Sequence, residues 1–252
     1  MRNSLLNLSI NAAISVALVG AIPVVAHGAE NDYKIFRPDS QGPHPAVVFL
    51  PGCSGFKPAF APGAYERPAE QLRSMGFVVA WADYLARRKL TNCAGGGVTQ
   101  DEAGRDAVEA ASWLKSQPDV DPKRITAIGW SWGGGSVLAA LADRGIKDPG
   151  FSRAILYFPY CQAAAPSVHR IPVLVLRGGS DTVAPPQLCE PALRGESRKT
   201  GVKIIVYPGA FHAFDASELP PKVDYQFGTV GYDPKAAAAA WKEVLRFLAV
   251  GK

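Results

Sequence analysis

Apolar and polar positions follow one another along this chain in two rhythms. Short, nearly continuous apolar runs occur at 46–50, 77–81, 125–129, 154–158, 173–176 and 202–206. They have the length and composition of strands buried on both faces. Between them lie segments whose apolar residues recur at helical spacing. One covers 65–75, with Gly76 placed to cap its C-terminus. A second opens on Thr99-Gln-Asp-Glu102, a capping-box pattern, and runs to about Ser116, burying Ala107, Ala111 and Leu114. A third covers 133–141. The last opens at Asp233-Pro234 and sets Trp241, Leu245 and Leu248 on one face. Buried strands alternating with amphipathic helices predict an α/β fold, a mostly parallel sheet with helices on both faces. Ligands of such sheets bind beyond the carboxyl ends of the strands, so the residues that follow each strand carry the candidate chemistry.

The first 30 residues break this pattern. Arg2 is the only charged residue before Glu30, an apolar stretch fills 14–26, and small residues follow at Ala26, Gly28 and Ala29. A basic start, an apolar middle and a small-residue cleavage site predict a signal peptide over 1–28 and an exported protein, periplasmic or extracellular. The alternative is an uncleaved anchor. Pro23 interrupts the run, which is short for a bilayer span of about 20 residues, so no stable membrane insertion is expected after cleavage. The remaining 29–252 suffice for one domain. A formal charge of +5 with dispersed Lys and Arg does not argue for nucleic acid.

Gly129-Trp-Ser131-Trp-Gly133 follows one predicted strand and opens one predicted helix. In that setting Gly-x-Ser-x-Gly is a nucleophile elbow: the turn is strained, its flanks must be small, and the hydroxyl projects at a helix N-terminus. Gly133-Gly-Gly135 lacks the Lys-Ser/Thr of a phosphate loop. A serine nucleophile needs a histidine base, itself oriented by a carboxylate, and on this type of sheet the chain order is Ser, acid, His. Of the four histidines, His27, His44, His169 and His212, only His212 follows a suitable acid. That acid is Asp181, directly after the 173–176 strand; Asp143 and Asp148 belong to connections that should not reach the catalytic edge. The candidate triad is Ser131, Asp181 and His212. The oxyanion donors would be the backbone amides of Trp132 and of Cys53, in the loop Pro51-Gly-Cys-Ser-Gly55.

These residues resemble the dienelactone hydrolase family. The likeness rests on 47–55, on Asp83-Tyr-Leu-Ala-Arg87, on the elbow, on Arg177-Gly-Gly-Ser-Asp181, on Tyr207-Pro-Gly-Ala-Phe-His-Ala-Phe214 and on the Ala-rich last helix with Trp241 and Phe247. It implies an α/β-hydrolase fold and a nucleophile–Asp–His triad on the same three residues. The chain departs from the family pattern at two places: a Ser stands where the family has a Cys nucleophile, and Gly52 where it has an acid. Both departures point to ordinary Ser–His–Asp chemistry, without metal or organic cofactor, on a small ester or lactone. Arg87 matches an arginine that holds a substrate carboxylate in the family; a solvated basic loop is the other reading of 87–89.

The four cysteines each follow a predicted strand or the turn after it. Neighbouring strands pair Cys53 with Cys93 and Cys161 with Cys189, and the even count fits two disulfides in an exported chain. No spacing among them suits a metal. The 159–171 connection is too short for a cap domain, whereas 215–233, with Tyr225, Phe227 and Tyr232, is expected to wall an open aromatic cleft. Two further functions are compatible with the elements: a serine peptidase of similar fold, which usually carries an added domain, and a binding protein with an inactive site. Oligomeric state is not written in the sequence.

Overall fold

The structure, a computed structural model, describes residues 33–162, 171–194 and 201–249. The predicted signal peptide lies outside them. Seven strands form one sheet: β1 (Lys34–Phe36), β2 (His44–Leu50), β3 (Val78–Trp81), β4 (Val120–Trp130), β5 (Arg153–Tyr157), β6 (Val173–Gly178) and β7 (Val202–Tyr207), in the order β1-β3-β2-β4-β5-β6-β7. β1 runs antiparallel to β3, and every other pairing is parallel. Among the described residues four α-helices lie between these strands, α1 (Glu66–Ser74), α2 (Gln100–Lys115), α3 (Trp132–Ala142) and α4 (Pro186–Arg194), and a fifth, α5 (Pro234–Ala249), follows the last of them. A two-stranded hairpin, β8 (Val223–Tyr225) and β9 (Gly228–Val230), precedes α5. This is the α/β-hydrolase fold.

The central strands β2 to β6 are buried on both faces because they have apolar residues in both phases of the pleat, whereas the edge strand β7, expected to be buried as well, leaves Ile204 and Val206 exposed because no strand lies beyond it. Ala46, Val48 and Leu50 pack with Ala107, Leu114, Val137 and Leu141 under α2 and α3. Val47 and Phe49 pack with Ala69 and Leu72 of α1 and Ala240 and Val244 of α5. Thr99 caps α2 as expected, its hydroxyl accepting from the Glu102 amide while the Glu102 carboxylate accepts from the Thr99 amide.

Three elements depart from the sequence expectation. β1, α4 and the β8–β9 hairpin are not signalled by periodicity; all three of the strand segments are three residues long, too few for a period to register. The face that α5 buries is Ala236, Ala240 and Val244, with Trp241 and Leu248 partly covered beside it; Leu245 lies off that face. Alanines lead because the helix sits close against the sheet. Between β5 and β6, residues 163–170 lie outside the described chain.

The two disulfides are Cys53–Cys93 and Cys161–Cys189, the pairing expected from neighbouring strands. Among the described residues no helix is long and apolar enough to cross a membrane.

Candidate active site

β4 ends at Trp130 and α3 begins at Trp132, so Ser131 is the single residue of the turn. Its φ of 49° lies in the left-handed region, a conformation that costs a non-glycine residue energy and persists only when its surroundings hold it. Here the Ser131 amide donates to the Tyr157 carbonyl (2.9 Å), and the Ser131 carbonyl accepts from Tyr160 (2.9 Å) and Gly135 (3.1 Å). The flanking glycines are required by contact. A Cβ on Gly133 would lie 2.4 Å from the carbonyl oxygens of Leu50 and Pro51, and one on Gly129 would lie 2.6 Å from that of Gly133. The strand-to-helix turn can close only without those atoms.

Asp181 follows β6 and His212 follows β7, which brings both to the edge where Ser131 stands. The Ser131 Oγ lies 3.0 Å from His212 Nε2, and His212 Nδ1 lies 2.8 Å from Asp181 Oδ2. The other carboxylate oxygen of Asp181 accepts from the amides of Val183 and Ala184, both at 2.9 Å. That turn leaves the carboxylate one direction in which to face, toward the imidazole. Phe158 covers the imidazole at 4.5 Å between ring centroids. Asp143 instead pairs with Arg105 and Asp148 with Lys115. Among the described residues four non-glycine positions have positive φ, and three of them, Ser131, Phe158 and Ala213, line the same cleft. Backbone strain of that kind concentrates at functional sites.

The loop after β2 is held at every residue that matters. The Gly52 amide donates to Tyr65 Oη (2.8 Å), the Gly52 carbonyl accepts from Tyr84 Oη (2.9 Å), and the Cys53 carbonyl accepts from the Cys93 amide (2.9 Å). Burial raises both tyrosine hydroxyls far above the ordinary range, Tyr65 and Tyr84 alike, so they stay protonated. Cys53 and Trp132 both line the cleft, and a Cβ on Gly52 would lie 3.5 Å from that of Ser131. Position 52 therefore abuts the serine. Tyr65, Tyr84 and Gln100, whose Nε2 donates to the Tyr160 carbonyl (2.6 Å), support the site without any motif of their own.

The cleft measures about 730 Å³. Phe227 and Val230 bring the β8–β9 hairpin into its wall; Tyr225 stacks on Phe227 (5.2 Å) and lies 6.3 Å from Phe60, another lining residue. Tyr232 belongs instead to a small cluster beneath the hairpin. Asp215, three residues past His212, also lines the cleft, and burial raises its carboxyl to about 6. Among the described residues no cluster of His, Cys, Asp and Glu is suited to a metal.

Arg87 does not line the cleft. It sits on a one-turn 3-10 helix (Ala86–Arg88), and its guanidinium bonds Asp106 (2.9 Å) and Glu109 (2.7 Å) on α2. Arg88 pairs with the same Asp106. This corrects the expectation of a substrate-binding arginine: the two acids of α2 already use the charge, and no carboxylate-holding role is proposed. The cluster is structural. Asp106→Ala is expected to lower stability by about 2 kcal/mol, less than the cost for a fully buried pair because both arginines reach solvent. Denaturant unfolding checks this; an unchanged midpoint would show that the cluster contributes nothing.

The sheet order and the strand-to-helix turn at Ser131 are those of an α/β hydrolase. Residues 32–250 match the sequence profile of the dienelactone hydrolase family, and the chain belongs to that family. An uncharacterized protein of Mycobacterium tuberculosis is 29% identical over 196 residues, covering 70% of this chain and 66% of that protein, just under two thirds of its length. Among solved structures, a dienelactone hydrolase-like promiscuous phosphotriesterase from metagenomic libraries is 20% identical with a TM-score of 0.68, covering 86% of this chain and 91% of its own. A thermophilic esterase of Thermogutta terrifontis is 18% identical with a TM-score of 0.58, covering 86% and 88%.

Proposed function

We propose that this protein is an exported serine hydrolase that cleaves carboxylic esters or lactones through Ser131, His212 and Asp181. The observation that carries this reading is the unbroken chain of contacts from Ser131 Oγ to His212 Nε2 (3.0 Å) and from His212 Nδ1 to Asp181 Oδ2 (2.8 Å), set on a strained elbow. In this mechanism Nε2 accepts the serine proton as Oγ attacks the carbonyl carbon. The carbonyl electrons move to oxygen, and the oxyanion is met by the amides of Trp132 and Cys53. The imidazolium then protonates the leaving alcohol, which gives an acyl-Ser131. A water deprotonated by His212 attacks that ester, and the acid leaves with Ser131 restored. Asp181 fixes the Nδ1–H tautomer and stabilises the imidazolium. No step calls for a metal or organic cofactor.

Export rests on the signal-like segment at 1–28, followed by a chain from 29 onward, and two disulfides are compatible with an oxidising compartment. The serine in place of the family's cysteine, and the glycine at 52, favour this plain triad over a thiolate scheme.

A fluorophosphonate probe with peptide mapping tests the reading. The label is expected on Ser131 and to be abolished by His212→Ala. A solved relative of this fold, Thermogutta terrifontis esterase 2, exists phosphorylated by paraoxon, so paraoxon makes a second probe. A chain that hydrolyses no aryl ester and takes no label on Ser131 returns the choice to an inactive binding protein. Cleavage of peptides in preference to aryl esters returns it to a peptidase.

A further inference from the structure

We propose that Asp215 makes this cleft select its esters by charge, favouring ammonium-bearing substrates over carboxylate-bearing ones. The inference rests on the hydrolase reading and names the substrate class of the same site. Among the described residues that line the cleft, Asp215 is the one acid, and no Lys or Arg is present. The contrast with the rest of the molecule is sharp, because the chain as a whole carries a formal charge of +5. The arginine that would hold a substrate carboxylate, Arg87, is bound to Asp106 and Glu109 instead.

The position of the carboxylate is fixed. Trp130 Nε1 donates to Asp215 Oδ2 at 2.8 Å, and Trp130 is the residue before the nucleophile. The indole is itself clamped, stacked on Tyr157 (5.4 Å) and edge-on to Tyr65 (5.2 Å). The negative charge therefore stands between the residue preceding Ser131 and the loop of His212. The surroundings are aromatic: Tyr65, Trp130, Trp132, Phe158 and Phe227 line the same space. Ring faces beside a carboxylate suit a quaternary ammonium group, which each attracts without needing a hydrogen bond. A substrate carboxylate would lose its hydration in a cleft that offers repulsion in return.

The charged and titratable groups that face Asp215 are Arg67 from α1, Tyr65 just before α1, Tyr157 on β5 and His212 on its own loop. Arg67 is engaged by Glu218 at 3.2 Å. Burial still outweighs these contacts and raises the Asp215 carboxyl to about 6. It is ionised at neutral pH and loses its charge in mild acid, so selectivity should fade as pH drops through that value.

Three nitrophenyl esters of matched shape test the proposal: trimethylammonio-butanoate, its neutral tert-butyl isostere, and the glutarate half-ester. The wild type should show kcat/KM for the cation at least about tenfold above that for the glutarate, with the isostere between them. Asp215→Asn keeps an acceptor for Trp130 and removes the charge; it should bring the two charged esters within about threefold of each other. Asp215→Glu should restore the order. Each ratio is taken within one protein at one pH, so loss of folded enzyme and any change common to all three esters cancel. A ratio that Asp215→Asn leaves unchanged, or a wild-type ratio that is flat from about pH 5 to about pH 8 across the carboxyl's value of about 6, overturns the proposal. Quenching of tryptophan fluorescence by the corresponding non-hydrolysable amides gives the same comparison without turnover. Charge-ordered binding that Asp215→Asn abolishes, in a chain that hydrolyses nothing, would sink the hydrolase reading and keep the charge selection. Hydrolysis without charge order would do the reverse.

Discussion

Ser131→Ala is expected to lower kcat for an aryl ester by about 10⁴- to 10⁶-fold, and Asp181→Asn by about 10⁴-fold. The reason lies in how the three groups depend on one another. Without the serine oxygen there is no acyl-enzyme, and only the oxyanion amides and binding remain to assist water. With asparagine at 181, the amide nitrogen presents hydrogens to Nδ1 where the carboxylate now accepts at 2.8 Å. The imidazole is then driven to the tautomer whose proton sits on Nε2, the atom that must accept from Ser131 Oγ. Because the residues act as a unit, Ser131→Ala combined with His212→Ala should cost little more than Ser131→Ala alone. Single-turnover kinetics on purified variants provide the measurement. A Ser131→Ala protein retaining more than about one hundredth of wild-type kcat would remove the acyl-enzyme from the mechanism, since such a loss lies far below that of a missing nucleophile.

The second large effect is expected from the cysteines, and the two pairs should behave differently. Cys53–Cys93 closes a loop across a sequence separation of 40 and Cys161–Cys189 one of 28. On the loop-entropy estimate each stabilises the fold by about 4 kcal/mol, through the unfolded chain. For a chain of this size that loss should lower the melting temperature by about 10 °C in either double Ala variant. Activity should separate them. Cys53 carries one of the proposed oxyanion amides, and its carbonyl accepts from the Cys93 amide at 2.9 Å. Removing the Cys53–Cys93 bond frees the loop beside Gly52. A misplaced oxyanion donor costs up to about 10²- to 10³-fold in kcat, so a fall of about tenfold or more, with KM less affected, is expected for Cys53→Ala/Cys93→Ala below its melting temperature. The Cys161–Cys189 variant should lose stability with a smaller change in kcat. Equal kcat losses from the two pairs would show that the oxyanion loop gains nothing from its own bond.

Much of this protein could be read from local pattern. The parallel core strands announce themselves as apolar runs because both of their faces are buried. The elbow is legible because Gly129 and Gly133 answer a local requirement, the absence of a Cβ where strand and helix touch. Asp181 and His212 are legible through chain order, since each follows a parallel strand and parallel strands bring their ends to one edge. The cysteine pairing follows from the same adjacency.

Other features have no local cause. Arg87 sits in a motif that suggests substrate binding, and only the approach of α2, with Asp106 and Glu109, turns it into a structural ion pair. Tyr65 and Tyr84 hold the loop at Gly52 from positions 13 and 32 residues away. Asp215 is an ordinary carboxylate until Trp130, 85 residues distant, donates to it and the cleft buries it. The sequence by itself determined the layers and the meeting of Ser131, Asp181 and His212 at one edge of the sheet, because strand burial, steric exclusion and chain order are written over a few residues at a time. The tertiary structure alone decided which charges face the cleft. Whether a charge is neutralised or left facing the cleft depends on what approaches it from distant parts of the chain.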